Sequence, residues 1–272
     1  MNAPLRPLKR FGQNFLIDKN IIKKIIREVS LTPRDIVLEI GPGRGALTFS
    51  LARHARKLIG VEVDRGLCRQ LQEDIQKAGN INIVCGDILR FKLRSYAKKA
   101  KIKSFKVVAN VPYYITTPIF EYLFKHIRLC DEIFVTVQKE FAERMIAKPG
   151  TAAYGSLTCF VNYFCAPSIL FKIKSGSFWP APSVDSCFVR LKPHHRVERR
   201  SVVKSQDLFF RTVRSAFGQR RKKLYTSLSG ILRKDELKLL PAQDLLSLRA
   251  EQLSLTDFIR LSNLIFDFLK KR

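Results

Sequence analysis

The chain has 272 residues, 46% of them hydrophobic, and carries 50 Lys and Arg against 23 Asp and Glu, a formal net charge of +27. That length suits one large domain with a smaller annex, and the charge far exceeds what solubility requires, so a polyanion such as nucleic acid is the natural partner and membrane lipid its rival. No apolar run approaches the roughly 18–20 residues of a spanning helix and the N-terminus has no hydrophobic signal core, which leads to the expectation of a cytoplasmic protein with no membrane partner. The N-terminus is nonetheless basic and free of acid before Asp18, so an organelle stays open.

From Asp35 onward short β-branched runs alternate with helical stretches, the pattern of a mostly parallel sheet covered by helices. Asp35–Ile40 reads as the first strand, Ala46–His54 as the helix after it, and Leu58–Val63 as the second strand before a helix over Arg65–Lys77. Ile81–Cys85 is the third strand; Val107–Asn110 is the fourth, after a basic insert. The fifth, Ile133–Val137, follows a helix over Pro118–His126. Ile169–Ile173 and Ser186–Leu191 bracket a Pro-rich turn and predict an antiparallel edge, giving about seven strands. After Leu191 a polar, charged stretch (Lys192–Lys204) leads into helices only: Asp207–Phe217, Arg221–Leu228, Asp235–Leu239 and Thr256–Leu269. The domain boundary is expected near Pro193.

The six cysteines (68, 85, 130, 159, 165 and 187) form no C-x-x-C pair and read as reduced, mostly buried thiols, without a zinc site or disulfide framework. The four histidines show no metal spacing; His194-His195 lies in a basic, Pro-marked linker. No metal is expected.

Glu39-Ile40-Gly41-Pro42-Gly43-Arg44-Gly45 joins the first strand to its helix, where glycines let backbone pass close under a ligand at the carboxyl edge of the sheet. Gly41, Gly43 and Ala46 also satisfy the dinucleotide fingerprint G-x-G-x-x-A, and Glu62 at the end of the second strand would grip a ribose in either case. Glu39 and a further acid, Asp87, tilt the reading toward S-adenosylmethionine, because they suit a cationic, adenosine-bearing ligand better than a pyrophosphate.

Asn110-Val111-Pro112-Tyr113-Tyr114 ends the fourth strand. The Asn110 side-chain oxygen and the Val111 carbonyl can accept both hydrogens of an exocyclic amine, Pro112 stiffens the turn, and Tyr113 offers a stacking face. Alone, the four residues are as well read as an ordinary Asx-Pro turn. Their place on the same sheet edge as the glycines sets donor and amine acceptor across one cleft. Phe178-Trp179-Pro180-Ala181-Pro182 would bring Phe178 to the other face of a flipped base, against the plainer reading of a buried turn with core aromatics. Three basic clusters complete the set: Arg6, Lys9 and Arg10 in the N-terminal arm, Lys92–Lys106 with seven basic residues and no acid, and Arg220-Arg221-Lys222-Lys223. Together, at this total charge, they favour phosphate contact.

With these residues in hand, the chain resembles the ribosomal RNA adenine dimethyltransferase family over nearly its whole length. The carriers are Lys9 to Leu16, Glu39 to Gly45, Gly86-Asp87-Ile88, Asn110 to Tyr114, Gln138-Lys139-Glu140, Phe178 to Asp185, and Arg220 to Lys223 after Phe217-Gly218. The resemblance implies an α/β, Rossmann-like seven-stranded methyltransferase sheet over residues 1–193, with a smaller all-helical RNA-binding domain over 194–272. It also implies that Asn14 and Leu16 cover the cofactor, Gly41 backs its methionine part, Glu62 holds the ribose hydroxyls and Asp87 the adenine amine. Asn110 would touch both cofactor and target, Tyr113 and Phe178 would stack on the base, and Arg220, Arg221, Lys222 and Lys223 would meet RNA.

The family's task is N6,N6-dimethylation of two adjacent adenosines in the 3′-terminal hairpin of small-subunit ribosomal RNA, within an immature subunit, by a monomer using S-adenosyl-L-methionine. Tyr114, where bacterial members often carry Asn, and Val111, where many carry Leu, depart from the pattern. A large-subunit methyltransferase of the antibiotic-resistance type, a non-catalytic RNA-binding assembly or transcription factor, and a nicotinamide enzyme stay as alternatives.

Overall fold

The structure, a computed structural model, describes residues 12–76, 78–194 and 202–271. Arg6, Lys9, Arg10 and Phe11 of the basic arm, Lys77, and His195 with part of the expected linker lie outside the described residues.

The chain divides into two compact units. One takes in the described residues up to Ala142 together with Ser168–Pro193; the other takes Glu143–Pro167 and the described residues from His194 onward. The boundary expected near Pro193 is therefore the last of three crossings.

The first unit opens with the two-residue strand β1 (Phe15–Leu16) and helix α1 (Lys19–Val29). Asp18 caps α1, its carboxylate accepting the backbone N–H of Asn20 at 2.8 Å and Ile21 at 3.2 Å, bonds that hold its pKa below the usual value. Strand β2 (Ile36–Ile40) follows, then α2 (Thr48–Ala52), β3 (Lys57–Glu62), α3 (Arg65–Asp74), β4 (Ile81–Cys85), α4 (Leu93–Lys99), β5 (Phe105–Asn110), α5 (Thr116–Lys125), β6 (Cys130–Gln138) and α6 (Lys139–Met145). After α7 (Ser156–Phe164) the chain forms β7 (Cys165–Ile173), β8 (Phe178–Trp179) and β9 (Ser186–Pro193).

Seven strands make one sheet in the order β4-β3-β2-β5-β6-β9-β7, while β1 and β8 pair separately. The five strands from β4 to β6 are parallel and β9 runs antiparallel to β6, matching the α/β architecture read from the sequence. Val37, Leu58, Val108, Phe134 and Phe188 carry the core across successive strands, with Ile25 and Leu51 supplied by helices. From β2 the chain winds outward through β3 and β4, then returns to place β5 on the other side of β2. At that reversal the loops leaving β2 and β5 diverge, and a crevice opens at the carboxyl edge. The register sets Ile40 beside Ala109, so Gly41 and Asn110 leave the sheet side by side.

Two expectations are corrected here. Cys68 on α3 and Cys85 at the end of β4 form a disulfide, with Cα atoms 5.7 Å apart. The packing of α3 beside β4 brings the pair together, which scattered sequence positions do not reveal. Cys130, Cys159, Cys165 and Cys187 are buried, as expected. The helix expected over Arg221–Leu228 is only α9 (Leu224–Ser227), and the basic run precedes it. The Lys222 N–H bonds to the Gln219 carbonyl in a turn before α9, and the N–H of Leu224, the first residue of α9, bonds to the Leu248 carbonyl.

In the second unit, α8 (Gln206–Gly218) starts at Ser205, whose hydroxyl accepts the Leu208 N–H. Short helices α9, α10 (Lys234–Leu239) and α11 (Gln243–Leu246) lead to α12 (Leu255–Lys270), which starts with a reciprocal Ser254–Asp257 capping box. The segment 143–167 belongs to this unit because its aromatic residues have partners there. The Tyr163 ring stacks on Phe209 with centroids 5.0 Å apart, Phe160 meets Phe210 edge-on at 5.2 Å, and the Tyr154 hydroxyl donates to the Leu253 carbonyl at 2.8 Å.

Candidate active site

The crevice between β2 and β5 is a cavity of about 280 Å³. Asn14, Leu16, Gly41, Glu62, Asp87, Asn110, Tyr113 and Phe178, all singled out in the sequence, line it together. Arg220 to Lys223 lie in the other unit.

The floor is the bend after β2. Gly43 has φ +61°, a left-handed backbone that favours glycine, and its N–H donates to Glu62 Oε2 at 2.9 Å. A β-carbon there would meet the Phe15 ring at 3.1 Å, so the bend and the N-terminal arm are in close contact. Glu62 Oε1 accepts the Asp64 N–H at 2.9 Å. Burial pushes the Glu62 carboxyl above its usual pKa, against the pull of these backbone donors. A third backbone donor, Val63, also bonds to this carboxylate.

Glu39 lies deeper, 2% exposed, and desolvation pushes it up to about 8. Neither Glu39 Oε2 nor Thr48 Oγ1 meets a partner at full hydrogen-bond geometry, though the facing hydroxyl still offsets part of the effect of burial. A buried acid with an unsatisfied oxygen at a cavity wall suits a cationic ligand. Asp87 follows β4 and caps the turn Ile88–Arg90, accepting the Leu89 N–H at 2.9 Å.

The opposite wall is the turn after β5. The Asn110 amide donates through Nδ2 to the Asn14 carbonyl at 3.4 Å, which leaves Oδ1 as its acceptor. The Tyr113 hydroxyl lies 2.6 Å from Ser186 Oγ at the start of β9, and burial raises its pKa, so it stays protonated. A Cβ on Gly41 would lie 3.7 Å from the Asn110 carbonyl, in ordinary contact, so the two walls adjoin. Phe178 lines the cavity but is only 3% exposed, its ring sharing the core with Phe171 and Phe188.

The described part of the arm covers the cavity. Gln13 Nε2 donates to Asp64 Oδ2 at 3.1 Å, and β1 pairs with β8 in the register Phe15 to Trp179 and Leu16 to Phe178. Ser177 holds the junction, its carbonyl accepting the Ile17 N–H at 2.9 Å and its hydroxyl meeting Asp18 at 3.1 Å. Sequence reasoning missed Gln13 with Asp64, and Ser186 behind Tyr113. It also missed Gly60, which lets Pro42 approach β3. Of these only Gly60 carries a local signal, a glycine inside a strand pattern.

The model of the family described as ribosomal RNA adenine dimethylase matches residues 6–267. The chain belongs to the ribosomal RNA adenine dimethylase family. Among relatives, it is 43% identical over 263 residues to the ribosomal RNA small subunit methyltransferase A of Clostridioides difficile (strain 630), covering 94% of this chain and 90% of that protein. It is 40% identical to the protein of the same name from Pseudomonas syringae pv. tomato, covering 95% and 94%. Among solved structures, a dimethyladenosine transferase from Plasmodium falciparum superposes with a TM-score of 0.78 at 29% identity, over 94% of this chain and 98% of that one. The 23S rRNA methyltransferase ErmE shares the fold, with a TM-score of 0.68 at 24% identity, over 93% and 100%. A dimethylase-family cleft is therefore the setting for the residues above.

Proposed function

We propose that this protein is an S-adenosylmethionine-dependent RNA methyltransferase that acts on N6 of two adjacent adenosines in the 3′-terminal hairpin of small-subunit ribosomal RNA. The observation that carries the reading is the meeting of the glycine bend and the Asn110–Tyr113 turn in one cavity, in a chain of the dimethylase family.

The residues fit the donor. Glu62 would take the ribose hydroxyls and Asp87 the adenine amine; Asn14 and Leu16 would close over them, and Gly41 would back the methionine part. The buried Glu39 lies behind the bend, where a cationic ligand would favour its ionised form over the protonated one that burial imposes. When bound, S-adenosylmethionine supplies a methyl group activated by its sulfonium.

This chain's part is positioning. Asn110 Oδ1 and the Val111 carbonyl accept the two amine hydrogens and turn the nitrogen lone pair toward the glycine bend. Tyr113, tethered by Ser186, presents a ring to the base, with Phe178 lining the cavity beside it. A protonated, hydrogen-bonded Tyr113 is not a base, and none is needed, because the methylated amine is acidic enough to lose its proton to solvent.

The net charge of +27 supports a subunit-bound RNA target, with Arg221, Lys222 and Lys223 exposed for phosphate. Among the described residues no helix is long and apolar enough to cross a membrane. The reading extends to a monomer that meets immature small subunits in the cytoplasm. Labelled S-adenosylmethionine incubated with unmethylated small and large subunits, followed by mapping of the modified bases, tests it. Label at two adjacent small-subunit adenosines is expected; label on large subunits alone, or none, overturns it.

A further inference from the structure

Arg44 sits in the middle of the glycine bend, and its guanidinium carbon lies 4.7 Å from the Phe15 ring centroid and 4.9 Å from that of Trp179. Those two rings belong to directly opposed residues of β1 and β8, so they stand on one face of the two-stranded ribbon and a single cation covers both. A ribbon of two residues per strand is marginal on its own backbone bonds. The next pair along, Leu16 and Phe178, lines the cavity. One side chain thus joins the donor-side bend to the covering arm and to the strand that carries the target-side ring.

We infer that Arg44 is a positioning residue that couples the two halves of the cleft. Occupancy over the glycine bend sets the β1–β8 ribbon, and with it Phe178, through the guanidinium. This rests on the functional reading above and adds to it a residue outside the amine grip and outside the ribose and adenine contacts. Arg is the side chain suited to the task, since a planar guanidinium lies flat on aromatic faces where an ammonium does not.

Trp179 is the only tryptophan of the chain, so intrinsic emission reports on this contact directly. The full-length protein is titrated with S-adenosylhomocysteine, with binding measured independently by equilibrium dialysis. Trp179 emission is expected to change with the same midpoint as binding. In Arg44→Ala the emission should differ before ligand is added and respond weakly or not at all. Its kcat on small subunits should fall about tenfold or more, with a smaller change in KM for RNA, as expected when alignment at the reacting centre is disturbed and the RNA-binding surface is not. Arg44→Lys should recover part of both.

Ligand binding that leaves wild-type Trp179 emission unchanged overturns the coupling, as does an Arg44→Ala protein with wild-type emission response and turnover. If Arg44→Ala does not fold, Arg44→Lys is read by the same criteria, and wild-type kinetics in it overturn the role of the planar group. No binding of S-adenosylhomocysteine by the wild type is a separate result, which removes the functional reading and this inference with it.

Discussion

The hydroxyl of Tyr113, on the turn after β5, lies 2.6 Å from the hydroxyl of Ser186, the first residue of β9. Ser186 is fully buried, so the bond fixes the edge of the Tyr113 ring from inside the protein. Tyr113→Phe and Ser186→Ala should each lower kcat/KM by about two- to tenfold, the worth of one hydrogen bond. The double variant should be no worse than the poorer single one, because both remove the same interaction. Additive losses in steady-state assays on small subunits would show that the two residues act separately.

Asn110→Ala should reduce methyl transfer by at least about 10²-fold, the range seen when one preorganised polar group is removed from a reacting centre. RNA binding, measured by filter retention, should stay within about threefold of wild type, since phosphate contacts dominate affinity. Turnover at the wild-type rate would refute the amine-holding role.

Burial raises the Glu39 carboxyl from 4.5 to about 8. The folded chain therefore keeps a proton that the unfolded chain releases above pH 4.5. The resulting stability is complete below that value and is lost as the pH climbs toward 8. Glu39→Gln, a neutral isostere, removes this slope. In thermal melts the wild type should lose ground to the variant up to pH about 8 and then hold a constant gap. Parallel curves throughout would mean that Glu39 is ionised in the folded state.

A β-carbon on Gly60 of β3 would come within 2.7 Å of both Pro42 Cγ and Ile83 Cδ1. A proline ring cannot rotate aside, so Gly60→Ala should cost roughly 1–3 kcal/mol and shift the bend that carries Gly41 and Gly43. Lower thermal stability together with weaker S-adenosylhomocysteine binding is the expected result. Gly79→Ala, where a β-carbon meets nothing within 4 Å, is the control.

Arg220 differs from its neighbours in the basic run. Its Nε donates to Glu251 at 2.8 Å and its Nη2 to the Thr151 carbonyl at 3.2 Å, both within the second unit, whereas Arg221, Lys222 and Lys223 are exposed. Replacing those three with Ala should flatten the plot of log affinity against log salt, by up to about 0.9 for each phosphate no longer neutralised. Arg220→Ala should act mainly on the melting temperature.

These contrasts mark how far the sequence could be read. The strands were legible because β2, β3 and β5 are short apolar, β-branched runs, and the site because glycine and Asn-x-Pro-Tyr turns must close strands at one edge of a parallel sheet. What stayed hidden depends on approach in three dimensions. Tyr154, Phe160 and Tyr163 announce a packed segment without saying which unit they pack in. Cys68 and Cys85 become partners only when α3 lies beside β4. A run of four basic residues does not disclose that the first braces its own unit while the rest face solvent. Phe178 was recognised from its motif, yet nothing local shows that its ring is shared between core and cleft.

The threefold crossing of the chain between its units has a practical result for anyone trimming this protein. A stop codon after Pro193 would not release a free-standing sheet unit, because residues 143–167 would be left without Phe209, Phe210 and the Leu253 carbonyl. That orphaned insert, with three aromatic side chains stripped of cover, would make the fragment a target for proteases and self-association, so a trimmed form has to keep residues 143–167 together with the helices they pack on.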